Sequence, residues 1–331
     1  MSAALLFSAF FVTGCNKSNS QANKQELHIY SIIHEEETEA LIKLFTEKTG
    51  IPASFLRAST GELVNRVINE KDNPQADILL GGATSYHMQA AKEGALESYS
   101  SEVAKDLPDF AKAKDGTWTA FCYLTLGIGV NKTRFAQKFP ELSFPRTWDE
   151  LLNPAFDGEI VLTNPVASST AYLFVQNQLQ RLGEEAGWEY LLNLSKLVGQ
   201  FPDSGSAPAK LLGTAEYAIA VSYLHSLAKY ASDGFDVLAI APPQTVAEVD
   251  CISIMKNSKN LDAAKAFVDF MLSKEAQELM SSMDFTVPVN PAAKGAEGSI
   301  SVQELDLINY DKEKASNEKA AVLEKWTQNV K

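Results

Sequence analysis

Three short stretches of small hydroxylic residues each stand at the predicted start of a helix: Ser59-Thr60-Gly61, Ser168-Ser169-Thr170 and Ser204-Gly205-Ser206. A helix N-terminus presents unpaired N–H groups and about half a positive charge, so it can bind an anion. Hydroxyl groups add donors, and small side chains let an oxyanion approach the backbone. Serine and threonine are also preferred as ordinary helix caps. Three such stretches, all after predicted strands, favour anion contact by at least two of them.

Aromatic and imidazole side chains supply the second set of candidates. Tyr223 and His225 follow a predicted strand and could form hydrogen bonds with the organic part of an anionic ligand. Tyr30 and Ser31 end the first predicted strand, and we expect them to close the pocket from the other side. Together with the hydroxylic stretches, these residues form the predicted ligand site.

The elements that position these residues alternate along the chain. Strands are predicted at 27–31, 51–56 and 76–80, with helices between them, which indicates a largely parallel sheet covered by helices. Two long apolar runs, 118–130 and 249–255, interrupt the alternation. Two α/β units joined by two long strands predict a cleft between lobes, and ligands of such sheets bind at the carboxyl ends of strands.

Composition limits the possible functions. The chain has 331 residues, of which 45% are apolar and 21% charged, so it has room for two folded domains. Its net charge of −13 argues against a nucleic-acid-binding surface, which requires a basic face. The net charge does not decide what a small pocket binds.

The N-terminus predicts export. Residues 3–12 form an apolar run too short to span a bilayer, and Thr13-Gly14-Cys15 follows it. This ending resembles a bacterial lipobox, in which the cysteine is acylated and anchors the mature protein to a membrane. We therefore predict a lipoprotein signal peptide over 1–15, lipidation at Cys15, a flexible linker over 16–25 and an extracytoplasmic, membrane-anchored location. Such signals usually begin with a basic residue, but here no Lys or Arg precedes the apolar run.

From about residue 27 to 294, the chain resembles type II periplasmic solute-binding proteins, in particular the group that binds ferric iron, hexose phosphates or 2-aminoethylphosphonate. The order and spacing of eight segments carry the resemblance: Ile29-Tyr30-Ser31, Ala58-Ser59-Thr60-Gly61-Glu62, Asn73-Pro74-Gln75-Ala76-Asp77-Ile78, Gly127-Ile128-Gly129-Val130-Asn131-Lys132, Pro145-Arg146-Thr147-Trp148, Asn164-Pro165-Val166-Ala167-Ser168-Ser169-Thr170-Ala171-Tyr172, Ser204-Gly205-Ser206-Ala207-Pro208-Ala209-Lys210 and Val287-Pro288-Val289-Asn290-Pro291.

The resemblance implies two Rossmann-like lobes joined by a two-strand hinge. We expect lobe 1 to comprise 26–122 and 249–331, with some C-terminal helices able to pack on lobe 2, and lobe 2 to comprise 123–248. It also implies a monomer that captures a small phosphate- or phosphonate-bearing solute and delivers it to an ABC permease and its ATPase.

Ferric iron is the alternative cargo. Ferric-binding relatives commonly use two adjacent tyrosines, whereas here Tyr223 is followed by Leu224. If iron were bound, His34 and Glu62 from the first lobe and Tyr223 and His225 from the second would be its ligands. We expect no other metal and no cofactor.

Enzymes and sensor or adhesin lipoproteins are two further functional classes besides transport proteins. An enzyme is not expected, because the chain has no Gly-x-Ser-x-Gly, His-Glu-x-x-His or phosphate-loop motif. A sensor or adhesin lipoprotein with the same fold stays open, since docking surfaces leave no motif. Whether Cys122 and Cys251 form a disulfide or are buried as thiols also stays open.

Overall fold

The computed structural model describes residues 26–330 of the chain. The predicted signal peptide, Cys15 and the linker over 16–25 lie outside the described residues. Among the helices of 26–330, none has the length and apolar character needed to cross a membrane.

Two β-sheets share one long strand. The first sheet has the order β2-β1-β3-β10-β5; β1 runs parallel to β2 and β3, and β10 runs antiparallel to β3 and β5. The second continues from β5 through β8 and β6 to β7, with β9 also paired to β5. The strands are β1 (Leu27–Ser31), β2 (Ala53–Arg57), β3 (Ile78–Ala83), β4 (Leu96–Glu97), β5 (Thr119–Asn131), β6 (Ile160–Val161), β7 (Val198–Gln200), β8 (Ile219–Tyr223), β9 (Val237–Ile240), β10 (Ala247–Met255) and β11 (Val287–Pro288).

Helices follow most of the strands, as the alternating pattern predicts. Apolar residues at helical spacing bury one face of these helices against a sheet or against another helix. The helices are α1 (Glu35–Thr49), α2 (Thr60–Asn69), α3 (Thr84–Lys92), α4 (Lys132–Lys138), α5 (Ser169–Leu182), α6 (Glu184–Ser195), α7 (Ala207–Gly213), α8 (Leu224–Ser232), α9 (Leu261–Met271), α10 (Lys274–Asp284) and α11 (Lys312–Asn329).

Strand β5 is the structural link between the lobes. Its first half pairs with β10 from Thr119 to Thr125, and its second half pairs with β8 from Leu126 to Val130. Gly127 lies where α8 packs on this strand: a Cβ there would stand 2.1 Å from Leu224 Cδ2. The chain returns from β9 in the second sheet to β10 in the first. These two crossings are the predicted hinge, and the predicted two-lobed α/β fold is confirmed.

The C-terminal helix α11 contacts both lobes. Lys319, on α11, donates a hydrogen bond to Gln89 of lobe 1 and lies over the Tyr86 ring. The Tyr172 hydroxyl of lobe 2 donates to the Ala315 carbonyl. Helix α11 therefore joins the lobes in addition to β5 and the return strand. Both Cys122 and Cys251 are buried free thiols.

Candidate functional site

A cavity of about 320 Å³ lies between the two lobes. The start of α2, the β1–α1 loop, β10 and the end of α10 line it from lobe 1, and the starts of α5 and α7 and the end of β8 line it from lobe 2. Most of these segments follow the carboxyl end of a strand, where the fold is expected to bind ligands.

Nine of the predicted ligand residues line this cavity. They come from three hydroxylic stretches and from the end of β8, and they are Ser59, Thr60, Ser168, Ser169, Thr170, Ser204, Ser206, Tyr223 and His225. His34 and Glu62, predicted as additional ligands for iron, line it too. Residues far apart in the sequence are thus brought to one place.

Three predicted residues do not line the cavity. The Tyr30 hydroxyl donates to Glu70 at 2.8 Å, and the Arg66 guanidinium covers the ring. Ser31 is buried, and its hydroxyl forms a 2.8 Å hydrogen bond with Thr38. Tyr30 and Ser31 therefore have internal partners that hold them away from the cleft. Gly61 instead contacts the opposite lobe through its backbone.

The first two hydroxylic stretches form true helix caps. Ser59 accepts a hydrogen bond from the Glu62 N–H at 3.4 Å, and Ser168 accepts one from the Thr170 N–H at 3.2 Å. The third stretch differs, because α7 has only 7 residues and Ser206 makes no capping bond. It contributes the paired hydroxyls of Ser204 and Ser206, which lie 3.1 Å apart. Two helix starts and a set of hydroxyl groups thus converge on the cavity.

The two capped helix starts touch each other across the cleft. The Thr60 hydroxyl donates to that of Ser169 at 3.3 Å, and the Gly61 N–H donates to the Ala167 carbonyl at 3.1 Å. A Cβ at Gly61 would lie 2.8 Å from the Val166 carbonyl oxygen, so only glycine permits this approach. The lobes are therefore closed in this structure.

Tyr223 and His225 lie side by side in the wall. Their rings stack with centroids 5.3 Å apart and an interplanar angle of 22°. The Tyr223 hydroxyl is buried without a hydrogen-bond partner, and burial raises its pKa. Burial lowers the pKa of His225 to about 4, so the imidazole is neutral at pH 7, and its Nε2 lies 3.8 Å from Asp284 Oδ2.

Three buried acidic residues in the wall were not among the predicted site residues. Glu37, Asp250 and Asp284 line the cavity and are all buried. Burial raises the pKa of Asp250 to about 7, that of Asp284 to about 6, and that of Glu37 as well. Asp250 had a signal in the sequence, since it is a carboxylate inside an apolar strand. Glu37 and Asp284 lie among polar residues of helices, so the sequence does not indicate that they are buried.

The cavity also contains basic side chains. Arg57 lines it, with its Nε donating to the Ile33 carbonyl at 3.1 Å. Burial lowers the pKa of His34, so the neutral form of its imidazole is favoured. Within residues 26–330, no group of three or more His, Cys, Asp or Glu side chains is arranged to hold a metal ion.

The position after Tyr223 has a structural role. Leu224 is 1% exposed and packs on Gly127 of β5. A second tyrosine at this position, which the resemblance leads us to expect in a ferric site, would therefore have to fit into the core.

A family model described as "Bacterial extracellular solute-binding protein" matches residues 73–314. An uncharacterised protein of Haemophilus influenzae is 34% identical, over 98% of this chain and 96% of its own. An iron uptake protein A1 of Synechocystis is 25% identical, covering 82% and 78% of the two chains. A protein of Salmonella typhimurium described as 2-aminoethylphosphonate-binding and periplasmic is 26% identical, covering 74% and 72%.

Two solved structures are similar in fold and sequence. The periplasmic binding protein P5PA has a TM-score of 0.88 and 33% identity, covering 92% of this chain and 99% of its own. AfuA of Actinobacillus pleuropneumoniae, solved with exogenous fructose-6-phosphate bound, has a TM-score of 0.89 and 32% identity, covering 92% and 98%.

Proteins of this kind bind a small solute outside the cytoplasm and deliver it to an ABC permease, and their fold is that of transport binding proteins rather than of enzymes. The resemblance inferred from the eight sequence segments is confirmed. With a match over 73–314 and a two-lobed fold closed around a cleft, the chain belongs to the bacterial extracellular solute-binding protein family.

Proposed function

We propose that this protein captures a small organic solute bearing a phosphate or phosphonate group and delivers it to an ABC importer. The convergence of two capped helix starts carries the proposal: Thr60 on α2 and Ser169 on α5 are in direct contact beside the cavity. Both helices are long enough, at 10 and 14 residues, to concentrate positive potential at this point.

The hydroxyl groups explain how an anion is held with few basic side chains. Ser169, Thr170, Ser204 and Ser206 offer donors that can rotate towards phosphoryl oxygens. Gly205 stands close to this group, since a Cβ there would lie 2.8 Å from both Ser168 Oγ and Thr170 Oγ1. Arg57 adds one cation to the same cavity.

The related proteins support the phosphoryl class. AfuA, at 32% identity, was solved with fructose-6-phosphate, and the Salmonella protein at 26% is described as 2-aminoethylphosphonate-binding. A phosphoryl group is the part that these two solutes share. The organic part differs between them.

Capture proceeds by hinge closure. We infer that 26–122 with 249–331 moves as one lobe against 123–248, about β5 and the return strand. A ligand that contacts both helix starts stabilises the closed form through its higher affinity for that form. The closed form then docks on the permease. Helix α11 contacts both lobes, so we infer that its position changes when the lobes open and close.

Iron is the second candidate cargo, favoured by the similarity to iron uptake protein A1 of Synechocystis. His34, Glu62, Tyr223 and His225 would be its ligands. Three observations weigh against it: Tyr223 has no neighbouring tyrosine, Leu224 is committed to the core, and burial raises the pKa of the Tyr223 hydroxyl above its usual range. A ferric–phenolate site absorbs visible light, so the loaded protein would be coloured.

The cellular setting follows from the sequence. We propose that Cys15 carries a lipid that keeps a monomeric binding protein near its permease, and that the protein catalyses no reaction. A sensor or adhesin role would use the same fold without transport. Genes for a permease and an ATPase beside this gene would favour import over those roles.

The first test is mass spectrometry of solutes released from the purified full-length protein. A released organic phosphate or phosphonate supports the proposal. Release of iron alone, with visible absorbance of the native protein, would replace it with the iron alternative.

A further inference from the structure

Helix α11 carries three lysines that each lie over an aromatic ring, and the rings belong to different lobes. Lys312 lies over Trp118 of lobe 1, with its Nζ 4.9 Å from the ring centroid. Lys325 lies over Trp188 of lobe 2 at 4.6 Å. Between these two along the helix, Lys319 meets a ring from each lobe.

Lys319 is buried between the lobes, with 6% of its surface exposed. Its Nζ lies 2.7 Å from the ring centroid of Tyr86, on α3 of lobe 1, and 5.7 Å from that of Tyr172, on α5 of lobe 2. The same amine donates a 2.8 Å hydrogen bond to Gln89 of α3. The two tyrosine rings meet edge to face, with centroids 6.2 Å apart and an interplanar angle of 90°. One side chain of α11 therefore joins α3 to α5.

Aromatic and amide groups, rather than a carboxylate, surround this amine. Among the described residues, Lys319 forms no ion pair, and burial lowers its pKa. The face of an aromatic ring attracts an N–H group, and attracts it more strongly when the amine is an ammonium ion. The Tyr86 ring and the Gln89 oxygen therefore compensate the amine for the water it loses. The Tyr86 hydroxyl is buried without a hydrogen-bond partner among the described residues, so the ring is the part of Tyr86 that holds Lys319.

This bridge lies one helical turn from the contact that closes the cleft. Tyr172 is three residues after Ser169 on α5, so the two side chains share a face of that helix. Ser169 contacts Thr60 of lobe 1. Opening that separates this pair carries α5 away from lobe 1, and Lys319 then loses one of its two rings, whichever lobe α11 follows. Tyr86, Tyr172 and Lys319 do not line the ligand cavity.

The chain segment that leads into α11 is fixed at the hinge. Thr245, between β9 and β10, donates from its N–H to the Asp306 carbonyl at 3.0 Å and accepts from the Ile308 N–H at 2.9 Å. Its hydroxyl donates to the Leu126 carbonyl of β5 at 2.9 Å. The segment therefore runs beside both crossings between the lobes. Because α11 is held there, opening of the lobes strains the contacts of Lys319 instead of moving α11 as a free arm.

We infer that α11 is a clamp that holds the two lobes closed, and that Lys319 is its positioning residue. The inference goes beyond solute capture and rests on the hinge closure proposed for it. A closed form that is less populated holds a solute less tightly, so ligand affinity depends on a side chain outside the cavity. Lys319 also lies beyond residue 314, where the match to the family model ends.

Hydrogen exchange of the ligand-free, full-length protein tests the clamp. The Gly61 N–H donates to the Ala167 carbonyl of the other lobe at 3.1 Å, so protection of this amide reports the closed form. Lys319→Met keeps an apolar chain and loses the amine, and we expect the Gly61 amide to exchange about 5-fold or more faster in this variant. The Leu63 N–H, bonded to Ser59 within α2 at 3.0 Å, should exchange at the wild-type rate.

Two substitutions of Tyr86 separate the ring from the hydroxyl. Tyr86→Leu removes the aromatic face and should raise Gly61 exchange as Lys319→Met does. Tyr86→Phe keeps the face and should keep wild-type exchange. If Lys319→Met folds poorly, the Tyr86 pair still decides. Wild-type exchange at Gly61 in Lys319→Met, or equal exchange in Tyr86→Leu and Tyr86→Phe, overturns the clamp.

Lys325→Met is the matched control. Lys325 is on the same helix, lies over Trp188 and pairs with Glu184 at 3.7 Å, but both partners belong to lobe 2. Its substitution weakens the packing of α11 on one lobe and removes no contact between lobes, so Gly61 exchange should match the wild type. A rise equal to that in Lys319→Met would contradict the assignment of Lys319.

Calorimetric titration with fructose 6-phosphate measures the consequence for binding. We expect Lys319→Met and Tyr86→Leu to bind it about 5-fold or more weakly than the wild type, and Lys325→Met to bind it as the wild type does. Wild-type affinity in a variant with raised Gly61 exchange would contradict the link between clamp and affinity. Failure of the wild type to bind this solute would count against the proposed function, whereas the exchange rates, measured without ligand, still decide the clamp.

Discussion

The Thr60 hydroxyl donates a 3.3 Å hydrogen bond to the Ser169 hydroxyl, joining residues 109 positions apart in the chain. The contact lies at the starts of α2 and α5, one in each lobe. It places two helix N-termini side by side at the closed cleft. The contact therefore links closure of the lobes to the proposed anion site.

Gly61→Ala should hinder closure. The added Cβ would lie 2.8 Å from the Val166 carbonyl oxygen. The neighbouring atoms belong to the backbone of Val166 and Ala167, so they have little room to adjust. We expect affinity for a phosphoryl ligand to fall about 10-fold or more, and small-angle scattering to show a less compact ligand-saturated protein. The control is Gly295→Ala, where the Cβ meets Ser299 at an ordinary 3.4 Å. Wild-type affinity in Gly61→Ala would contradict the closed interface described here.

Ser169→Ala should weaken binding with little loss of stability. The substitution removes a donor from the cavity wall, and we expect a loss of about 1–2 kcal/mol in binding free energy. Ser273→Ala is the matched comparison, since Ser273 caps α10 by accepting from the Ala276 N–H at 3.2 Å outside the cavity. That variant should lose about 1 kcal/mol of unfolding free energy and keep its affinity. Calorimetry and urea unfolding of both variants decide whether the two effects separate.

Asp250→Asn should change how stability depends on pH. Burial raises the Asp250 pKa from 3.8 to about 7, so between these values the folded state holds a proton that the unfolded state has lost. The wild type therefore loses unfolding free energy as pH rises through this window. The variant does not ionise, so its stability relative to wild type should rise by about 1 kcal/mol or more from pH 5 to 8.

Urea unfolding of the ligand-free proteins measures this difference. His225, whose pKa burial lowers to about 4, destabilises the fold as pH falls below 6.5. That effect is present in both proteins, so it cancels in the comparison. A difference that is constant from pH 5 to 8 would show that Asp250 is ionised throughout.

Trp326→Ala should detach the C-terminal helix. Trp326 of α11 is 5% exposed and packs edge-on against Phe201, with ring centroids 5.7 Å apart. Truncating a buried tryptophan costs about 3–5 kcal/mol. We expect a fall of that order in unfolding free energy, whereas Glu324→Ala on the exposed face of α11 should change it by less than about 0.5 kcal/mol. Equal effects of the two substitutions would contradict the packing of α11.

The sequence predicted the fold well because its periodicity is strong. Strand β5 matches the predicted apolar run 118–130 within one residue, and α5 begins within the hydroxylic stretch that predicted a helix start. Helices α3, α4 and α8 were not predicted, because each directly follows a strand without a polar break. Two-residue strands such as β4 and β11 depend on partners distant in sequence.

Part of the cavity lining was predicted, because some of its residues have a local signal in the sequence. Ser59, Ser168 and their neighbours have a local signal, since capping residues precede helices. Tyr30 and Ser31 were expected at the cleft because they end a strand, but Glu70 and Thr38 bind their hydroxyls. The acidic wall depends on three distant segments meeting, and no local pattern contains that information.

Titration of the ligand-free protein with a panel of phosphate esters, phosphonates and ferric citrate tests the central claim most directly. We expect at least one phosphoryl solute to bind with micromolar or tighter affinity, Ser169→Ala to weaken that binding, and ferric citrate to produce no visible absorbance. Ferric binding with a phenolate absorbance band, and no binding of any phosphoryl solute, would contradict it.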